Sequence, residues 1–320
     1  MPTINLKILV LGACAFSWAQ TLNAAPLAYI SNQLADSVSI IDTGSGRVVD
    51  TIKVSGKPAG VAVSADDKFI YVSTPEAKGF TVITAKNPRQ VTHVPVSAGA
   101  LGIATDNKNQ QVFVADWYDN TVAVVDVGRL TVTQTIPVGR SPSGLVVSPD
   151  NRWLYVANRL DDAVSQIDLQ RLAIRNTTKV GEHPFGLAID TKGKRLYTAN
   201  VESDDVTVLD AENLKRIATV KVNSRPYALA LALNDSLLFV TNQDDNSVSV
   251  IDTAMLKTVA LIDVGDKPEG ISSHPDGRLV YVANWFDSTV SVIDAKTLKV
   301  VKTIATGEGS RAFGRFISHH

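Results

Sequence analysis

The chain has 320 residues, 31 of them basic and 32 acidic, and 45% apolar side chains, a make-up that fits one large globular domain or two small ones. The balance excludes an overall charge bias toward nucleic acid or anionic membrane, although a neutral total can hide opposed faces.

In chain order, residues 1–25 stand apart. Lys7 gives a positive start, Ile8 to Trp18 is an apolar stretch, and small residues follow at Ala24 and Ala25. This is the pattern of a secretory signal peptide, with cleavage expected after Ala24 or Ala25 and Ala19 as an alternative. The stretch is shorter than the ~20 residues that a membrane-spanning helix needs, and no later segment reaches that length, so no transmembrane anchor is expected. Cys14, the only cysteine, falls inside the leader. A mature chain without it has no thiol, disulfide or cysteine metal ligand. Leu11-Gly12-Ala13-Cys14 also resembles a lipobox, so anchorage through an acylated Cys14 is the alternative to a free periplasmic or secreted protein.

From residue 26 to 320 one motif repeats. The tetrapeptide Tyr29-Ile30-Ser31-Asn32 recurs at Tyr71, Phe113, Tyr155, Tyr197, Phe239 and Tyr281, each copy starting 42 residues after the last. A period of this size without insertion or deletion marks a propeller or a solenoid. Within a repeat, Gly144 to Ser148, Leu154 to Ala157, Ala163 to Asp168 and Arg175 to Val180 are short runs rich in Val, Ile, Leu and Tyr, separated by polar turns. Four short strands per repeat predict an all-β, seven-bladed propeller whose blades bury both faces.

The turn residues carry expected roles. Asn158, Asn200, Asn242 and Asn284 end second strands, where an amide side chain bonds its own backbone and tolerates a left-handed conformation. Asp42, Asp126, Asp168, Asp210, Asp252 and Asp294 should do the same after third strands. Gly60, Gly102, Gly144, Gly186 and Gly270 open first strands near the crowded axis, where a missing Cβ lets backbones converge. The mature chain begins on a second strand and ends with Ala312 to Ile317 where an eighth first strand would start, so the C-terminus should complete the blade that the N-terminus opens.

The Tyr-Val-Ala-Asn tetrapeptides, preceded by Ser148-Pro149-Asp150 or Ser273-His274-Pro275-Asp276-Gly277 and followed by Ser249 to Asp252 or Ser291 to Asp294, resemble the YVTN-family β-propeller repeat proteins of bacteria and archaea. The resemblance covers residues 28 to 317. It implies an exported or surface-associated propeller; some members resemble accessory proteins of quinone-dependent periplasmic oxidation systems and others bind nucleic acid. A WD40 repeat is excluded, because no blade has the Gly-His and Trp-Asp pair.

Candidate site residues lie where equivalent repeat positions differ. Before the repeat's proline stand Lys57, Gly99, Ser141, His183, Arg225, Lys267 and Gly309; after it stand Ala59, Leu101, Ser143, Phe185, Tyr227, Glu269 and Arg311. Lys57, His183, Phe185, Arg225, Tyr227, Lys267, Glu269 and Arg311 are the candidate ligand residues, a cationic and aromatic arc at the channel mouth suited to a small anion or a partner carboxylate. The alternative is that these side chains form rim salt bridges and cover the channel. The turns from second to third strand hold twelve acidic residues against Lys78 and Arg159, so this face should repel phosphate and steer basic partners. Trp117-Tyr118 and Trp285-Phe286 share one repeat position in these turns and are candidate partner anchors, unless they fold over the next blade. Blade two departs, with Thr74-Pro75-Glu76-Ala77-Lys78-Gly79 in the turn and Ala100 in place of the proline.

No haem-attachment, zinc-protease or nucleophile-elbow motif is present, and neither a metal nor another cofactor is expected. Of the histidines only His183 falls at the channel mouth. The leading reading is a monomeric, non-catalytic, exported binding or scaffold protein for an unidentified periplasmic protein or small anionic ligand. The alternative is a periplasmic enzyme or redox accessory, lactone hydrolase-like or quinone-dehydrogenase-associated, with His183, Glu269 and Arg311 as acid-base and anion-holding groups. Single-stranded nucleic acid over the basic turns of Arg47, Lys86, Arg89, Arg129, Arg171, Lys215 and Lys296 ranks third.

Overall fold

The computed structural model describes residues 25–86 and 89–320. The leader through Asn23 and Ala24, with Cys14, lies outside the described residues. Six four-stranded antiparallel sheets and one three-stranded sheet, taken in chain order, make the seven blades. Blade four is representative: β12 (Pro142–Val147), β13 (Trp153–Asn158), β14 (Ala163–Asp168) and β15 (Ala173–Lys179) run from the axis outward. The tetrapeptide forms the second strand of each blade. Its aromatic ring is buried in every copy, Tyr29, Tyr71, Phe113, Tyr155, Tyr197, Phe239 and Tyr281 alike, and each such ring contributes about 1.5–3 kcal/mol of apolar burial.

Blade one contains only β1 (Leu27–Asn32), β2 (Ser37–Asp42) and β3 (Arg47–Lys53) from the start of the chain. The C-terminal segment supplies the missing inner strand through bridges Asn32–Ser310 and Ala28–Ile317. Arg311 N–H donates to Ser31 O at 2.8 Å, Tyr29 N–H to Phe316 O at 2.8 Å and Ser318 N–H to Leu27 O at 2.9 Å. The same segment receives Val61 N–H and Val63 N–H from blade two, so it joins the blades on either side of the seam.

Inner strands converge where glycine was expected. A Cβ on Gly102 would lie 1.8 Å from Ser143 O, and one on Gly144 would lie 2.2 Å from Phe185 O, distances no side chain tolerates. Blade six places Ala228 at this register.

The turn chemistry departs from expectation at one residue type. Asn158 is extended, at φ −95° and ψ 93°, and the second-strand asparagines do not bond their own backbone. Their amides reach sideways to third-strand hydroxyls: Asn242 Nδ2 donates to Ser247 Oγ at 3.0 Å and Ser249 Oγ at 2.9 Å, and Asn284 Nδ2 to Thr289 Oγ1 and Ser291 Oγ. The left-handed residue is four positions later, at Asp36, Lys78, Asn120, Asp162, Asp204, Asn246 and Ser288. The third-strand aspartates do accept local backbone N–H groups, as Asp252 does from Ala254 and Met255. The left-handed residue of those turns is a leucine in five blades, Leu130, Leu172, Leu214, Leu256 and Leu298. Their side chains are held in the inter-blade packing, which offsets the ~1 kcal/mol that αL geometry costs an L-residue.

Candidate functional site

The second-to-third-strand turns and the loops entering each inner strand share one face, tied by a bond that recurs around the ring. The left-handed turn residue accepts the backbone N–H of the residue 21 positions on: Asp36 from Lys57, Asn120 from Ser141, Asp162 from His183, Asp204 from Arg225 and Asn246 from Lys267. Many carboxylates of this face therefore hold turns in place. The backbone N–H of Lys57 keeps Asp36 below the usual carboxylate range, and that of Arg140 does the same for Asp161. Lys57, Ser141, His183, Arg225 and Lys267 all have positive φ, between 51° and 57°. Blade two keeps this frame by means of a 3-10 turn over Pro75–Ala77 and a left-handed Lys78, and blade four uses the same device at Arg159–Asp161.

At the axis the structure brings together four of the sequence-selected residues. Phe185, Tyr227, Glu269 and Arg311 come from successive blades and close the channel on this face. Phe185 stacks on Tyr227 with ring centroids 3.9 Å apart and meets Phe313 edge-on at 5.4 Å. Arg311 Nε lies 2.6 Å from Glu269 Oε2 with side-chain exposures of 17% and 7%. Its N–H is turned off that line, so the contact is ionic rather than an aligned hydrogen bond. Aligned bonds come from Arg311 Nη2 to Tyr227 Oη at 3.0 Å and from Gln243 Nε2 to Glu269 Oε1 at 2.7 Å. Burial pushes the Tyr227 hydroxyl up to about 12. The expected channel mouth is thus stoppered, because aromatic rings at this register are long enough to meet across a narrow axis. Phe185 and Glu269 are buried within the stopper.

The outer arc is a chain of ion pairs. Arg225 reaches Glu202 at 3.0 Å and Asp244 at 3.6 Å, Lys267 reaches Asp244 at 2.8 Å, and Lys57 reaches Asp36 at 3.3 Å. His183 Nδ1 stands 3.7 Å from Glu202 Oε1 and has no hydrogen-bond partner. Glu202 therefore stands near the imidazole without the hydrogen bond that would orient it as a general base.

The aromatic pairs separate in role. Trp117 turns inward against Phe185 at 6.4 Å and lies under Arg159 at 5.4 Å. Trp285 leans over the next blade, donating from Nε1 to Gln33 Oε1 at 3.1 Å. Their neighbours Tyr118 and Phe286 remain exposed.

Behind the stopper the channel widens into a cavity of about 380 Å³, with Phe185 and Phe313 at its floor and Asn107, Thr191, Asp235 and Arg315 toward the opposite face. Its existence was not legible from rim positions, since inner-strand residues look like ordinary core. Among the described residues no group of three His, Cys, Asp or Glu side chains has metal-site geometry, and no helix is long and apolar enough to cross a membrane.

Residues 4–110 match the family described as YNCE-like beta-propeller, residues 83–217 the Lactonase, 7-bladed beta-propeller family, and residues 227–312 the Cytochrome D1 heme domain. No curated protein matches the chain. Among solved structures, a functionally unknown protein from Desulfotomaculum acetoxidans DSM 771 superposes with a TM-score of 0.82 at 14% identity, covering 92% of this chain and 99% of that one. Kuenenia stuttgartiensis hydrazine synthase gives 0.74 at 20% identity, covering 89% and 99%. The dihydro-heme d1 dehydrogenase NirN, solved in complex with DHE, gives 0.69 at 14% identity, covering 91% and 76%. None of the three family matches spans half of the chain; with the seven sheets of the ring, the YNCE-like and seven-bladed Lactonase matches make this chain a β-propeller repeat protein.

Proposed function

We propose that this protein is an exported accessory of a redox system, and that it works by docking a basic partner protein on the face formed by the second-to-third-strand turns. The observation that carries the reading is one of register. On that face four large apolar side chains are exposed, Leu34 at 51%, Tyr118 at 71%, Leu160 at 41% and Phe286 at 67%, and all four occupy the same repeat position. Glu76, Glu202 and Asp244 hold that position in the other blades. Turn geometry is satisfied equally by either kind of residue, so the apolar tips are free to serve contact. Their setting among carboxylates favours a partner carrying Lys and Arg. Export rests on the N-terminal leader, and the redox association on the match of residues 227–312 to the Cytochrome D1 heme domain.

The residues present do not fit a haem of their own. His274 is the only histidine within residues 227–312; its Nδ1 lies 2.9 Å from Asp276 and its Nε2 3.3 Å from Thr43 Oγ1. Among the described residues no His, Cys or Met side chain lines the channel. This favours a role for the contact face over one for a bound haem. The match to the lactonase family favours hydrolysis as a second reading, which His183 supports poorly for want of an orienting carboxylate.

Photo-crosslinking residues placed at Tyr118 and Phe286 test the docking face against controls at Val132 and Val301 on outer strands. The reading expects a single basic redox protein attached from the host periplasm at the first two positions, weakened by salt. Equal labelling at all four positions, or none, refutes it. Turnover of a simple lactone, lost in His183→Ala, would move the function to the second reading.

A further inference from the structure

The central cavity lies on the far side of the stopper from the docking face and is not used by it. One repeat position supplies the large apolar side chains of its wall: Ile103, Leu145, Leu187, Leu229 and Ile271 come from successive inner strands, and Phe313 from the closing segment completes the series. Thr105, Asn107, Thr191, Ser272 and Ser273 add polar groups to the lining, so the cavity suits an occupant with an apolar body and a polar end. Among the described residues two ionisable side chains line it, Asp235 and Arg315.

These two differ in how they are satisfied. Asp235 Oδ2 takes the backbone N–H of Thr191 at 2.8 Å and also its hydroxyl, so this carboxylate is held in its turn. Arg315 donates from Nη2 to Val63 O and from Nη1 toward His319 Nε2 at 2.9 Å. Among the described residues no carboxylate oxygen stands within 4.0 Å of its guanidinium. Arg311, four residues earlier on the same segment, has Glu269 against it. Asp67 acts on this guanidinium from beyond 4.0 Å, and its oxygens are taken by the backbone N–H groups of His319 and His320, so Arg315 has no directly paired carboxylate and an incoming anion can supply one. The fixed Asp235 carboxylate disfavours a second negative charge in the same cavity.

We propose that the channel is a binding site for an elongated apolar monoanion, a medium-chain carboxylate whose head pairs with Arg315 and whose tail runs along the leucine and isoleucine ring toward Phe185 and Phe313. About 380 Å³ accommodates a single chain of this kind and falls within the range of about 300–1,000 Å³ usual for small-molecule sites. The head group supplies the directly paired negative charge that the guanidinium lacks, and the tail gains its binding from apolar burial.

The test is calorimetric titration of the folded protein with decanoate, 1-decanol and decyltrimethylammonium, each below its aggregation concentration. The expected order is decanoate first, about tenfold or more tighter than decanol, with the cation weakest. Arg315→Met should abolish the preference while leaving decanol binding in place. Leu187→Trp, which fills the channel and leaves Arg315 alone, should lose both ligands. No binding by the unaltered protein, equal binding of decanoate and decanol, a preference that survives Arg315→Met, or decanoate binding unaffected by Leu187→Trp would each overturn the proposal. Crosslinking at Tyr118 and Phe286 is unaffected by either variant, so the two functional readings fail separately.

Discussion

Replacing Arg311 by Met should be among the most damaging single changes on the stoppered face. The substitution preserves much of the side-chain volume but strands the Glu269 carboxylate, whose side chain is 7% exposed, with Gln243 as its remaining side-chain donor. Removing one member of a buried pair costs about 3–5 kcal/mol, whereas replacing both by apolar groups is often neutral. About 300 ordered residues at ~2.1 cal/mol/K each give an unfolding entropy near 0.6 kcal/mol/K, so Arg311→Met should lower Tm by about 5–8 °C. Glu269→Met alone leaves the guanidinium on Tyr227 and should cost a similar amount. The double variant should return most of the loss, giving a coupling of roughly 2 kcal/mol or more in a double-mutant cycle read by urea denaturation. Additive single effects would refute the argument, because they would mean that neither charge depends on the other.

Deleting residues 310–320 removes buried Ala312, Phe313, Phe316 and Ile317; at about 1.5–3 kcal/mol for each large side chain, the loss approaches the whole stability of a domain. The truncated chain should show no cooperative thermal transition by circular dichroism, and a sharp transition near that of the full chain would contradict the closure. Asn284→Ala should cost about 1–3 kcal/mol in denaturant unfolding by abandoning the buried Ser291 hydroxyl and the half-buried Thr289 hydroxyl; a cost below about 0.5 kcal/mol would remove the sideways amide from the account. Asp36, Asp42 and Asp161 are depressed first of all by the backbone N–H groups of Lys57, Ser45 and Arg140. A depressed folded value means stability that is full above the unfolded carboxylate range, about 3.9, and lost as pH falls through the folded one. Unfolding midpoints should therefore hold steady from pH 7 to 5 and decline below about pH 4, with Asp36→Asn flattening part of that decline.

The propeller was legible because its information is periodic. Tyr29 to Asn32 and six successors at constant spacing leave one architecture, and the unmatched Ala312 to Ile317 announces its closure. The glycines at the axis were legible for the same reason, since a repeated Gly signals a repeated close approach. What escaped is chemistry between repeats. Second-strand asparagines read as turn formers from their residue type, but their partners are Ser249 and Ser291 on a neighbouring strand. Leu172 or Leu298 in a left-handed turn has no signature, because only the inter-blade packing makes that conformation worthwhile. The arc of Phe185, Tyr227, Glu269 and Arg311 was placed on adjacent blades by counting, yet counting does not say whether side chains line a mouth or fill it. The open end of the channel went unread, because Leu145 and Leu187 look the same in a core as in a cavity wall.

The seam in blade one also sets a timetable. Tyr29 waits for Phe316, and Leu27 for Ser318, so the first blade of the chain cannot be completed until almost the last residue has arrived. Every other blade is assembled from neighbours in sequence and is ready early. Until the C-terminal segment docks, the ring is open, with an unpaired sheet edge on either side of the seam. Contacts of such long sequence separation are slow to form, and until they do, each open edge can pair with another molecule. The moment of greatest exposure to self-association is therefore just before closure, when six blades are ready and the seventh still lacks its inner strand.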